Sequence, residues 1–214
     1  MDKKYLKNLI TIMMVAFMSF NFSSCSGDND DSTSSPNDDN IVAVDLGLSV
    51  KWASQNVGAS SPGDPGGYYA WGETEEKDDY TKATYSIGQS DIGDIYGTKY
   101  DVAYVKWGKN WRMPTQQEMY ELEEKCTFEW GERNGIKGII VNGPSGNSIF
   151  LPAGGAKYSS SEGVVGKNEF IHYWSGSHTE YNDAGGSLRI KSLRLGSTSN
   201  ARHHGLNVRP VKAY

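Results

Sequence analysis

The chain has 214 residues with 21 basic and 26 acidic side chains, so its net charge is −5 near neutral pH. This length suffices for one sizeable domain, which can bury a core without disulfides. The acidic balance argues against a nucleic-acid partner, and the two cysteines, Cys25 and Cys126, exclude a disulfide-rich scaffold.

Residues 1–24 have the pattern of a secretory signal peptide. Three lysines lie within the first seven residues, and Leu9–Phe20 is a mostly apolar run. Such a run is too short for a bilayer span, which needs about 20 residues. Small residues then precede Cys25, as in a bacterial lipobox. This likeness predicts cleavage before Cys25 and a lipid on its thiol, which would attach the protein to a membrane. The alternative is an ordinary secretory signal followed by an unrelated cysteine.

Residues 25–42 form the predicted lipid-bearing cysteine and its linker. Ser26–Asn40 contains five aspartates and no aliphatic or aromatic residue, so we expect it to be disordered. Acidic residues directly after the cysteine resemble the surface-export signal of Bacteroidetes lipoproteins. The resemblance implies attachment to the outer membrane of the cell envelope with display on the cell surface, and the alternative is a plain solvated spacer.

Residues 43–214 are the predicted globular domain. The sequence patterns predict two short strands in Ile41–Ala53, a short helix over Asp101–Trp107, and a hairpin from Gly138–Val141 and Ser148–Leu151. Thr115 followed three residues later by Glu118 is a capping box, which predicts a helix that runs to about residue 125. Residues 75–97 are predicted to be a long surface excursion.

Three further strands are predicted near the C-terminus. They cover Tyr173–Ser177, Leu188–Leu193 and Leu206–Val211, with loops between them. The order of a short helix, a capped helix, a hairpin and three further strands agrees with an α+β fold but does not by itself demand one.

Basic residues are concentrated after residue 171. Residues 172–214 carry six basic and two acidic side chains, whereas residues 43–171 carry 12 basic and 18 acidic ones. A locally positive surface can attract an anionic ligand. Alternatively, the acidic and basic parts pair with each other.

The C-terminal segments therefore hold the candidate ligand-binding residues. Tyr, Asn, Ser and Arg are typical of adaptable recognition surfaces. The candidates are Trp174, His178, Tyr181, Asn182, Asp183, Arg194, Asn200, Arg202 and His203. For Trp174 a place in the core is the alternative, and Arg209 is predicted to be structural, bonded to carbonyls or a carboxylate.

Catalytic and metal-binding patterns are weak. No nucleophile-elbow motif surrounds Ser175 or Ser177, and the histidines lack the spacing typical of zinc ligands. Cys126 has no catalytic motif around it and is predicted to be a buried apolar residue. The sequence thus predicts a protein that is not an enzyme, with no cofactor and no metal.

Several motifs, in order, resemble the Fibrobacter succinogenes major paralogous domain family of Bacteroidetes surface lipoproteins. The matching segments are Val44–Ala53, Trp71–Glu73, Trp107–Gly108, Trp111–Thr115, Gly146–Ala153, Tyr173–Ser175 and Val208–Val211. They span nearly all of residues 43–212.

The resemblance implies a C-type-lectin-like fold, with two helices packed on small twisted antiparallel sheets and long loops that present a ligand. It implies a surface lipoprotein with a non-enzymatic binding domain for a glycan or a protein. A structural or assembly accessory of the cell envelope is the first alternative, and an enzyme of the formylglycine-generating-like fold group is the second and less favoured one. The related formylglycine-generating enzymes use paired active-site cysteines, and this domain lacks them. The calcium-lectin signatures Glu-Pro-Asn and Trp-Asn-Asp are absent as well.

Overall fold

The computed structural model describes residues 41–159, 163–181, 183–191 and 194–214. All of them belong to one compact unit of the chain. The predicted signal peptide, Cys25 and the acidic linker up to Asn40 lie outside these residues, as does Asn182. No helix in the described ranges is long and apolar enough to cross a membrane.

Two α-helices are present in the described part of the chain, and both begin where the sequence predicts. Helix α1 spans Val102–Trp107, and the Asp101 carboxylate accepts from two backbone N–H groups of its first turn. Helix α2 spans Gln116–Lys125 and begins with the capping box of Thr115 and Glu118. Arg112 adds a bidentate ion pair to Glu118, with distances of 2.6 and 2.8 Å. Local side-chain chemistry therefore fixes this helix start.

The first sheet joins the two ends of the domain. Strand β1 (Ala43–Val44) pairs with β2 (Lys51–Ala53), which also pairs with the last strand, β11 (Val211–Lys212), and all pairings are antiparallel. The predicted closing strand Leu206–Val211 is thus mostly irregular. Before β11 this segment makes only single bridges, such as Tyr69 with Leu206.

The second sheet has the order β3-β4-β5. Its strands are β3 (Thr127–Arg133), β4 (Ile136–Asn142) and β5 (Ser148–Pro152). The β4–β5 hairpin was predicted, whereas β3 was missed. Asn134 and Gly135 connect β3 to β4 with φ of 53° and 76°. An Asn-Gly pair favours this turn because both residues tolerate positive φ.

The third sheet carries the C-terminal segments. Strand β8 (Phe170–His178) pairs with β9 (Ala184–Lys191), which pairs with β10 (Arg194–Ala201), and helix α2 packs against this sheet. The loop predicted after residue 193 is therefore wrong, because Arg194–Ala201 is a strand. A separate ribbon pairs β6 (Ala156–Lys157) with β7 (Val164–Val165).

Large apolar side chains fill two main clusters. One cluster lies between α2, β2 and the β3-β4-β5 sheet, and the other surrounds α1. Cys126 is buried in the first cluster, as predicted, and burial raises the pKa of its thiol to about 11. Trp107 and Trp111 pack edge-to-face at 5.6 Å in the second cluster. The tryptophans of the resemblance motifs therefore belong to the framework.

Arg209 ties this framework together, as predicted. Its guanidinium is buried and donates to the Oδ1 of Asn56 at 2.7 Å, to the carbonyl of Ala53 at 3.0 Å and to that of Phe150 at 2.8 Å. Asn56 in turn donates to the Tyr173 hydroxyl at 3.0 Å. All three nitrogens of this buried cation have acceptors, which is the condition under which such burial is tolerated.

Candidate functional site

The end of the β9–β10 ladder brings two predicted ligand residues together. Ala184 pairs with Ala201, so Asp183 and Arg202 are adjacent just beyond the ladder. The Arg202 backbone N–H donates to the Asp183 carbonyl at 2.9 Å. Residues 19 positions apart in sequence therefore share one site.

A loop of the residue 75–97 excursion closes this site from the other side. The Tyr85 hydroxyl donates to the Trp71 carbonyl at 2.7 Å, and the Tyr80 hydroxyl donates to the Tyr68 carbonyl at 2.5 Å. These two buried tyrosines attach the loop to the domain. Burial raises the pKa of both hydroxyls, which keeps them protonated donors.

The two sides enclose a pocket of about 200 Å³, which we call the Arg202 pocket. Its lining residues are Lys82, Tyr85, Gly88, Gln89, Asp183, Arg202 and His203. Three of them were predicted from sequence as ligand residues, namely Asp183, Arg202 and His203. Four come from the 82–89 loop, which sequence analysis described only as a surface excursion.

Arg202 forms the floor of the pocket. Its Nε donates to the Ala184 carbonyl at 3.2 Å, and its Nη1 donates to the Ser90 carbonyl at 3.1 Å. The guanidinium lies over the Trp71 ring, 4.4 Å from the ring centroid. Nη2 is buried and has no hydrogen-bond acceptor among the described residues. The sequence predicted Arg202 to lie on the surface, and this prediction is wrong, because the residue is 0% exposed. Trp71 and Ser90 of the 82–90 loop both contact its guanidinium.

The pocket rim is charged and solvated. The Lys82 amine lies 4.0 Å from the Asp183 carboxylate, and the two side chains are 71% and 63% exposed. An exposed pair of this kind is worth little, about 0–1 kcal/mol. Both groups are therefore free to make other contacts.

His203 connects the rim to a chain of polar groups behind it. Its ring lies 4.5 Å from the ring of His204, and burial lowers the pKa of His203, helped by Lys82 and Lys77. His204 Nδ1 is 2.7 Å from Asn200 Oδ1, and Asn200 Nδ2 is 3.3 Å from His172 Nε2. The candidate Asn200 thus supports the histidines instead of facing the pocket.

Two of these histidines are held neutral. Burial is the main cause that lowers the pKa of His172 to about 3, with contributions from Arg189 and His204. Burial also lowers the pKa of His204 to about 4. At neutral pH the positive charge of the site therefore comes from Arg202 and Lys82.

Other predicted residues lie outside the pocket lining. Trp174 is fully buried and its indole N–H donates to the Tyr69 carbonyl at 2.7 Å, so its assignment as a ligand-facing residue is corrected to the core alternative. Tyr181 is 64% exposed. His178 is half-buried, and its Nε2 lies 3.4 Å from Asp91. Arg194 is the first residue of β10, and its side chain is not described.

A fixed geometry supports the Trp71 platform under Arg202. The Trp71 indole N–H donates to the Ser175 carbonyl at 2.9 Å. Gly185 lies against the ring so closely that a Cβ there would be 2.7 Å from it. Glycine at position 185 therefore lets the platform approach β9.

No group of three or more His, Cys, Asp or Glu side chains in the described ranges could hold a metal ion. Comparisons of the chain with protein-family models, with curated proteins and with solved structures return no match. The described part of the domain has an α+β architecture of two α-helices and several small antiparallel sheets. Within that class, the Arg202 pocket is the candidate site whose chemistry bears on function.

Proposed function

We propose that this protein is a lipid-anchored protein of the outer membrane, displayed on the cell surface, whose domain binds a glycan or protein ligand in the Arg202 pocket without transforming it. The observation that carries the proposal is the convergence of Asp183, Arg202 and His203 with Lys82 and Gln89 around one pocket. These residues come from three separate segments. A few convergent polar groups in a concavity are typical of a binding site.

The architecture supports a C-type-lectin-like fold for this domain. Two helices lie beside small antiparallel sheets, and a long excursion closes the candidate site. Both features agree with what the resemblance to the Fibrobacter succinogenes major paralogous domain family implies. The pairing of β2 with β11 also gives a closed framework on which loops can vary.

The pocket chemistry favours binding over catalysis. Tyr85 uses its hydroxyl to hold the Trp71 carbonyl, and its raised pKa opposes formation of a nucleophilic phenolate. Arg202 is held by two backbone carbonyls, so it is positioned to attract a ligand and not to exchange protons.

The binding proposal is tested with the full-length chain, purified in detergent and applied to glycan and protein arrays. We expect a discrete set of ligands that the Lys82→Ala and Gln89→Ala variants lose. Both side chains are exposed, so these variants should keep the melting temperature of the wild type. Lys109→Ala is the matched control, because Lys109 is an exposed lysine in a different depression, beside Trp107 and Trp111. An array without signal, or a signal unchanged in both pocket variants, would refute the proposal.

The anchoring proposal has a separate test. Cells that express the chain are fed an alkyne fatty acid, and we expect labelling of the wild type but not of Cys25→Ser. Protease added to intact cells should remove the domain if it is displayed outward. Labelling of the Cys25→Ser protein would exclude lipidation at this cysteine.

A further inference from the structure

The floor of the Arg202 pocket has an unused donor. Nη2 of Arg202 is buried without an acceptor among the described residues, whereas Nε and Nη1 donate to backbone carbonyls. Buried polar groups in folded proteins nearly always have a hydrogen-bond partner, so an exception at a pocket calls for one from outside. A guanidinium presents such donors in a planar fork that matches a carboxylate.

The cation also has no ion-pair partner among the described residues. Asp91 and Asp183 are the carboxylates that act on Arg202 through space. Both are more than 60% exposed, and their near contacts are His178 at 3.4 Å and Lys82 at 4.0 Å, respectively. Arg209 is buried without an ion pair among the described residues as well, but all its nitrogens have acceptors, so the feature particular to Arg202 is the missing acceptor at Nη2, which an incoming anion would supply.

Lys82 adds a second cation at the rim. Its contact with Asp183 is long and solvated, so little is lost when the amine turns toward a ligand. Exposed side chains, Lys82 and Gln89, stand at the rim above the buried guanidinium. Because Arg202 is fully buried, binding at Nη2 requires the side chains around it to move, and Lys82 and Gln89 are exposed members of the same lining.

The remaining lining is suited to a sugar ring. Asp183 accepts hydrogen bonds from hydroxyls, while Gln89 and His203 offer both donors and acceptors. At about 200 Å³ the pocket is smaller than the ~300–1,000 Å³ of sites for drug-sized ligands, so it admits a single small unit. By area the lining is more apolar than polar and includes the Tyr85 ring, against which the C–H face of a sugar can pack.

We propose that the Arg202 pocket binds the terminal acidic sugar of a glycan, with its carboxylate between Arg202 and Lys82 and its hydroxyls on Asp183 and Gln89. This proposal rests on the proposed function as a binding domain and names the ligand class of the same site. It is narrower, because a neutral glycan or a protein ligand would satisfy the proposed function and contradict this one.

The test is calorimetric titration of the full-length protein in detergent with methyl glucuronoside. Methyl glucoside and the methyl ester of the glucuronoside are the matched neutral probes. We expect the carboxylate probe to bind at least about tenfold more tightly than either neutral one, because only the carboxylate satisfies a buried cation. Equal binding of the acid and its ester, or no binding of the acid, would overturn the proposal.

Variants locate the carboxylate. Arg202→Lys keeps a charge but loses the fork and should weaken binding of the glucuronoside by about tenfold or more. Lys82→Ala removes only an exposed side chain, so it tests the proposal even if changes at position 202 impair folding. We expect it to weaken the acid probe several-fold and leave the neutral probes unchanged. Lys109→Ala should bind like the wild type, and an unchanged affinity in Lys82→Ala and Arg202→Lys together would refute the assignment.

Two further arms separate the remaining explanations. Inorganic phosphate and sulfate should compete only weakly with the glucuronoside for the pocket. If either anion binds as tightly as the glucuronoside, the pocket is a general anion site and the acidic-sugar proposal fails. If arrays identify a ligand that depends on Lys82 and Gln89 but carries no acid, the acidic-sugar proposal fails while the proposed function stands.

Discussion

Two buried arginines seven residues apart define two different kinds of region in this protein. Arg209 and Arg202 are both 0–1% exposed. Arg209 directs all three nitrogens to protein acceptors and joins β2, β5 and the segment before β11. Arg202 directs two nitrogens to carbonyls and leaves the third at the floor of a pocket. The comparison shows that burial alone does not distinguish a structural charge from a functional one. An unsatisfied hydrogen-bond donor on the buried charge is the feature that points to a ligand site.

The largest effect is expected for Arg209→Met. Removal of this guanidinium leaves the Ala53 and Phe150 carbonyls and the Asn56 amide without their donor in a closed core. Each buried acceptor left without a donor typically costs about 1–3 kcal/mol, so we expect a loss of several kcal/mol. Denaturant unfolding should show this loss in the free energy of unfolding. A change below about 1 kcal/mol would show that the two arginines do not differ as described.

Acid should lower the free energy of unfolding through the histidines behind the pocket. The hydrogen bonds of Arg209 include no histidine or carboxylate and should not contribute to this loss. The folded-state pKa of His172 is lowered to about 3 from 6.5, so above pH 6.5 the group is neutral in both states. Between pH 6.5 and about 3, His172 is protonated in the unfolded chain but stays neutral in the folded chain. Stability therefore falls as the pH falls, by about 1.4 kcal/mol per pH unit for this group.

The matched variant for this pH effect is His172→Gln, which keeps a polar group beside Asn200. Below pH 6.5 its free energy of unfolding should fall less steeply with pH than that of the wild type. The difference in slope should correspond to the uptake of about one proton fewer on unfolding. His204, whose pKa is lowered to about 4, would supply part of the remaining slope. Identical slopes in the two proteins would mean that His172 is not the buried neutral group.

Arg202→Met should cost less stability than Arg209→Met. It removes one donor from the Ala184 carbonyl, which keeps its bond from the Thr179 hydroxyl, and one from the carbonyl of the exposed Ser90, and it also removes an incompletely satisfied cation. These opposing effects give an expected loss of about 1–2 kcal/mol in the free energy of unfolding. A loss equal to that of Arg209→Met would assign Arg202 a structural role like that of Arg209.

The smallest effect is expected for Tyr181→Ala. This side chain is 64% exposed and is not among the residues that line the Arg202 pocket. The free energy of unfolding should change by less than about 0.5 kcal/mol. Binding of the glucuronoside should also be unchanged, and a tenfold loss would extend the ligand surface beyond the pocket.

Local chemistry explains what the sequence predicted correctly. Thr115 and Glu118 cap a helix through contacts three residues apart, so the pattern alone identifies the start of α2. Met119, Leu122 and Cys126 share a face because of helical spacing, and all three are buried. Arg209 was correctly predicted to be structural, within an apolar closing segment.

Long-range pairing explains what the sequence could not show. Strand β10 contains the segment Ser197–Asn200, in which only Thr198 favours strands, and it forms a strand by pairing along β9. Lys82 and Gln89 lie in a polar stretch without periodicity, and long-range contacts such as the two buried tyrosine hydroxyls and the Arg202–Ser90 hydrogen bond place that stretch beside Arg202. Arg202 was predicted as a ligand residue for its charge, but its depth depends on Trp71, which lies 131 residues earlier in the chain. Turn signals could have found β3, since Asn134-Gly135 is a typical hairpin pair.

The pairing of the first and last strands has a mechanical consequence. A pull on the chain from its N-terminal side reaches β1 first, which holds to β2 through only two residue pairs. Strand β2 is held on its other edge by β11, and Ala53 donates to the Pro210 carbonyl at 2.9 Å. Tension would therefore separate β1 from β2 first. Each released residue would lengthen the extended chain before β2 by about 3.5 Å before force acts on the rest of the domain. In a chain anchored at Cys25, as proposed above, the first strand would act as a small force-limiting extension between the anchor and the pocket.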